Sequence, residues 1–77
     1  MLLPSKLFSY QESTLSKLPV ILKQLKKRPM GVKELYGAVK KDIRDTDEFL
    51  EILDCLFVLD AIDYDDVRRQ LIYVIQN

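Results

Sequence analysis

The segment Phe49–Leu59 constrains the fold more than any other stretch of the chain. Projected at about 100 degrees per residue, Phe49, Leu50, Ile52, Leu53, Cys55, Leu56, Phe57 and Leu59 cover more than half of a helical cylinder and leave one narrow polar strip of Asp47, Glu51 and Asp54. Only part of so wide an apolar arc is needed in a three-helix core. Residues at its edge, such as Leu50 and Phe57, therefore either meet a sheet or are left for a partner. The helix is expected to begin near Thr46, read as its N-cap, with Asp47 and Glu48 in the first turn where the dipole favours anions, and to run to about Leu59.

Two more helices precede it. Leu15, Leu18, Leu22 and Leu25 recur at three- and four-residue steps, widened by Val20 and Ile21, which predicts an amphipathic helix. Pro19 is tolerated only near a helix start, so the regular helix is expected from about Leu18 with Thr14–Lys17 a looser lead-in. Lys26, Lys27 and Arg28 complement its C-terminal dipole before Pro29 stops it. After the turn Pro29-Met30-Gly31, the apolar residues Val32, Leu35, Tyr36 and Val39 predict a shorter helix reaching roughly Lys41.

Beyond Leu59 the period changes. Ala61–Tyr64 and Arg69–Ile75 read as two strands joined by the acidic turn Asp65-Asp66, the second apolar throughout Leu71–Ile75 in the manner of a strand covered on both faces. Met1–Ser9, with Pro4 and no helical period, suggests a short N-terminal strand or arm. The expected fold class is α+β: a winged helix-turn-helix of three helices with a C-terminal β-hairpin and a short N-terminal strand, forming a single domain over residues 1–77.

Seventy-seven residues allow one core. At 48 per cent apolar and 31 per cent charged, the chain has the composition of a folded protein. Its longest apolar runs, Cys55–Leu59 and Leu71–Ile75, are far short of the roughly 20 residues that span a bilayer. Met1–Lys6 lacks the features of a signal peptide, so a cytoplasmic location is expected. The lone Cys55, flanked by Ile52, Leu53, Leu56 and Phe57, reads as a small buried apolar residue.

The segments Leu3-Pro4-Ser5-Lys6, Leu25-Lys26-Lys27-Arg28-Pro29, Val32-Lys33-Glu34-Leu35-Tyr36 and, above all, Phe49 to Ile62 resemble the small middle components of bacterial ABC-three component systems. Nearly the whole chain shares in the resemblance. It implies a role between two larger partners, an ATPase related to structural-maintenance-of-chromosomes proteins and an effector, in defence against phage or plasmids. It also implies an adaptor whose winged-helix form is similar to the accessory subunits of bacterial condensins. The chain departs from the pattern at Asp60, where such families carry a Gly between the third helix and the following strand.

The chain contains no His, which excludes Ser-His and Cys-His nucleophile pairs and His-based zinc sites, and it has no glycine-rich loop to cradle a phosphate. Asp60, Asp63, Asp65 and Asp66 lack the spacing of a calcium loop and read as a solvated acidic turn. No enzyme, cofactor, metal or small-molecule ligand is expected.

Net charge is zero but segregated. Nine cations and two carboxylates lie between Thr14 and Arg44, and nine carboxylates with no cation between Asp45 and Asp66. A third helix exposing Asp47, Glu51 and Asp54 is poorly suited to a DNA groove. The cluster Lys23, Lys26, Lys27 and Arg28 leaves non-specific contact with phosphates, or contact with an acidic partner, as an alternative. The expected function is therefore protein binding, with Leu50, Phe57 and Val58 on the third helix and Ile72 and Val74 on the last strand as apolar anchors, and Asp47, Glu51 and Asp54 setting orientation. An uncovered edge of the last strand would also permit pairing with a second copy. The alternative function is a small winged-helix DNA-binding transcriptional regulator.

Overall fold

A computed structural model describes residues 12–74. The order is α1 (Glu12–Leu15), α2 (Leu18–Lys27), α3 (Val32–Val39), a 3-10 turn (Lys40–Asp42), α4 (Thr46–Val58), β1 (Ile62–Asp65) and β2 (Gln70–Tyr73). Three principal helices followed by an antiparallel hairpin make the described residues α+β, as expected. The expected N-terminal strand, within Met1–Ser9, lies outside the described residues, and so does Ile75.

Pro19 shapes the first helical region. Its ring nitrogen cannot donate to the carbonyl one turn back, so the helix is interrupted at Ser16-Lys17, leaving α1 as a single turn and Pro19 within the first turn of α2. The Lys17 N–H donates to Thr14 O at 3.1 Å and the Val20 N–H to Lys17 O at 3.1 Å across the break. The α2 helix buries Ile21 and Leu25, the four-residue pair at the centre of its stripe.

The α3 helix is shorter than its sequence suggests. It stops at Val39, and the tighter turn Lys40–Asp42 brings the chain round so that Ile43 enters the core. The cap of α4 is also corrected. Asp45, with an extended backbone, is the N-cap, and its Oδ1 accepts from the Glu48 N–H at 2.9 Å, whereas Thr46 is already the first helical residue. A carboxylate reaches the third amide of the helix and adds charge where the dipole is positive.

At its other end α4 closes by a left-handed turn at Asp60, whose φ is 57°. The Asp60 N–H donates to Phe57 O at 3.0 Å and the Ala61 N–H to Leu56 O at 2.9 Å, the bond pattern of a Schellman motif. Asp60 therefore ends the helix in a conformation that Gly adopts more readily.

The hairpin pairs Ile62 with Tyr73, Asp63 with Ile72, Tyr64 with Leu71 and Asp65 with Gln70. Its four-residue loop is held by Asp65, whose Oδ1 accepts from the Val67 and Arg68 N–H groups at 3.0 and 3.1 Å, and it ends on Arg69 in the left-handed region at φ 56°. The other edge of β2 is occupied at Leu71. There Met30, in the turn between α2 and α3, exchanges both backbone hydrogen bonds with Leu71, at 3.1 and 2.7 Å. An open edge at that residue is thus ruled out. Leu71 is buried while Ile72, Tyr73 and Val74 are half-buried, although the strand is apolar on both faces. The domain has one layer of helices to offer the hairpin, and that layer covers one face.

One apolar cluster binds the elements together. Ile21 and Leu25 from α2, Met30, Leu35 and Val39 from α3 and its lead-in, Ile43, then Phe49, Ile52, Leu53 and Leu56 from α4 meet Ile62 and Leu71 of the hairpin. The Tyr36 ring meets the edge of Phe49, centroids 5.0 Å apart and planes at 70°. Cys55 is buried, and that burial raises its thiol pKa above the ordinary range, with Asp54 adding to the effect.

Candidate protein-binding surface

The α4 helix sets the geometry of the surface, and its inward side shows why. Ile52, Leu53, Cys55 and Leu56 fill the core, so residues three and four positions apart on the opposite side, Asp47, Leu50, Glu51, Asp54 and Phe57, face out. Leu50 is 57% and Phe57 40% exposed. The arc predicted from the sequence is therefore real, and its two edge residues remain uncovered among the described elements. Val58 is half-buried.

The structure places three of the five apolar candidates at two hollows. Leu50 borders a groove between α3 and the start of α4, lined also by Val32, Lys33, Tyr36, Thr46 and Phe49. Phe57 and Val74 meet at a second hollow with Asp60, Ile62 and Asp63, where the end of α4 adjoins the hairpin. Seven residues of helix, about 10 Å, separate Leu50 from Phe57. Val58 and Ile72 line neither hollow, although Ile72, opposite Asp63 and next to buried Leu71, stands on the outward face of the hairpin.

The acidic strip is held from below. Thr14 is buried under α4, and its hydroxyl donates to Glu51 Oε2 at 3.3 Å. Glu48 was not singled out by its pattern, yet its side chain is fully buried. Its Oε1 accepts from the Arg44 N–H at 3.0 Å and from Lys17 Nζ, while Arg44 Nη1 lies 3.4 Å from Oε2, which has no hydrogen bond of its own. The Arg44 amide, with the Lys17 ammonium next, holds the Glu48 carboxyl below the usual glutamate range. The spacing Asp45-x-x-Glu48 is the sequence signal that marks this arrangement, since a capping carboxylate followed three residues later by Glu is a capping-box pattern.

The basic cluster occupies a different face. Lys23, Lys26, Lys27 and Arg28 are all exposed. Lys23, Lys26 and Lys27 surround a hollow floored by Leu18, Pro19 and Leu22 on α2, and Lys26 Nζ also stands 5.3 Å above the Tyr73 ring. Arg28 turns away to pair with Glu34, whose carboxyl is held below its usual range by that hydrogen bond. Three cations, not four, therefore remain together.

Two further exposed apolar side chains complete the surface. Val32 is 39% exposed and lies beside Leu50, and Val67 is 92% exposed at the hairpin tip. Among the described residues there is no cluster of metal-ligating side chains and no helix long and apolar enough to cross a membrane. The surface supplies apolar area with charged margins, which is the chemistry of contact with another macromolecule.

The family model described as ABC-three component (ABC-3C) system Middle Component 7 matches residues 3–71, a span that includes α1 to α4 and reaches into β2. No curated protein and no solved structure matches the chain. With the match covering nearly the whole sequence, the chain belongs to the Middle Component 7 family of ABC-three component systems.

Proposed function

We propose that the protein is the non-catalytic adaptor of such a system, bridging an ATPase related to structural-maintenance-of-chromosomes proteins and an effector in cytoplasmic defence against phage or plasmids. The observation that carries this reading is the outer face of α4, where Leu50 and Phe57 stand exposed among Asp47, Glu51 and Asp54. Exposed large side chains with charged neighbours suit a protein interface, in which a few anchors carry most of the energy. The Met30 bridge between the α2–α3 turn and β2 supports a winged-helix arrangement, because it adds a third backbone segment to the hairpin just where helix-turn-helix and wing meet.

In that arrangement α4 takes the place of a DNA-recognition helix, and its outer face is anionic. Each carboxylate there would oppose phosphate, with no Lys or Arg from Asp45 to Asp66 to offset it. The patch of Lys23, Lys26 and Lys27 is the feature that favours the second reading, a winged-helix DNA-binding regulator. A tagged pull-down from the native host at moderate salt decides between them. The adaptor reading predicts a large ATPase and an effector retained in fixed ratio. Recovery of the chain alone, or only with nucleic acid that salt removes, would transfer the weight to the regulator.

A further inference from the structure

We propose that the protein self-associates head to tail, the basic face of α2 on one copy receiving the acidic outer face of α4 on the next. The α2 face offers an apolar floor, Leu18, Pro19 and Leu22, ringed by Lys23, Lys26 and Lys27. The α4 face offers the inverse, Leu50 and Phe57 flanked by Asp47, Glu51 and Asp54. Lys23 and Lys27 stand four residues apart on α2, as Asp47 and Glu51 do on α4, neighbours about 5–6 Å apart on one side of a helix, so the lysine pair can lie along the carboxylate pair in register. Lys23, Lys27 and Asp47 take part in no ion pair within the described residues, which leaves them available to a neighbour.

The two faces differ, and each copy carries one of each. Unless one two-fold axis pairs both faces at once, such a contact propagates from copy to copy or closes into a ring. A typical interface takes about 800 Å² from each partner, so the 5518 Å² surface has room for both contacts. A net charge of zero places no overall repulsion between copies. A phosphate backbone would engage the lysines but leave the apolar floor of α2 without a partner. The inference shares the α4 face with the adaptor reading, so a larger partner would have to displace the neighbouring copy to reach it.

Sedimentation equilibrium of the purified chain tests this without any other protein. At low salt the average mass should rise above 9.0 kDa with concentration, and at high salt it should return to 9.0 kDa. Replacing Lys23→Glu with Lys27→Glu should raise the dissociation constant by about tenfold or more, and so should Asp47→Lys with Glu51→Lys. Because the first pair presents two acidic faces and the second two basic ones, mixing them should restore association. A wild-type chain that stays at 9.0 kDa at every concentration in low salt overturns the proposal. Association that survives in either variant alone, or that requires added oligonucleotide, overturns it too. None of these results bears on whether the ATPase and effector are retained in the pull-down.

Discussion

At the scale of single residues, Glu48 ties the start of α4 and the adjacent Arg44 to Lys17, 31 residues earlier in the chain. Burial of a carboxylate is unfavourable unless its charge is met by donors and cations, and here Arg44 and Lys17 meet it. Because the folded pKa is lowered, the stabilisation from this group is present above the ordinary glutamate value of 4.5 and is lost as pH falls through the folded value. Thermal melts of the wild type should therefore lose stability on acidification below 4.5, with Asp45 adding its share below its own ordinary value of 3.8. In Glu48→Gln the melting temperature should be lower at neutral pH and the acid decline shallower; an unchanged pH profile would show that the cluster contributes nothing. Backbone strain gives a second residue-scale prediction. Arg69→Gly at φ 56° should raise stability by about 0.5–1 kcal/mol in denaturant titration, and a loss would mean that the arginine side chain matters more than its backbone. Helical periodicity ranks residues by hydrophobicity and shows neither an inward Glu nor a positive φ, so the Asp45-x-x-Glu48 spacing was the one sequence signal for Glu48 and Arg69 had none.

At the scale of elements, periodicity located the helices because each buries a stripe against a common core. Leu18, Ile21 and Leu25 carry α2, Leu35 and Val39 carry α3, and Ile52 and Leu56 carry α4. Leu56 is fully buried, so Leu56→Ala should cost about 2–5 kcal/mol in a domain whose whole stability is on the order of 4–12 kcal/mol. Denaturant unfolding should show a midpoint displaced that far, and a shift under about 1 kcal/mol would contradict the placement of α4 at the centre of the core. The hairpin was legible from the change of period after Leu59, and the exposure of Leu50 and Phe57 from the width of the apolar arc. The pairing of Met30 with Leu71 was not, because a single bridge formed by residues distant in sequence leaves no local pattern. Val32 and Tyr36 likewise marked only the period of α3 in the sequence, and it is the packing of α3 beside α4 that shows them bordering a groove with Leu50.

At the scale of the whole molecule, the chain's neutral total conceals a division into a basic α2 face and an acidic α4 face, each with apolar side chains at its centre. The membership in the Middle Component 7 family implies work among other proteins of the same system, and the outer face of α4 is the surface we propose for it. Phe57 is the sharpest probe because it is 40% exposed and lies next to the core without filling it. The decisive measurement compares co-purification of the wild type and Phe57→Asp with the other components of the system, with circular dichroism and thermal melting as the control for folding. The account predicts that the variant keeps its helical spectrum and a cooperative melt but loses its partners. A folded variant that retains them in the wild-type ratio would contradict the assignment of this face.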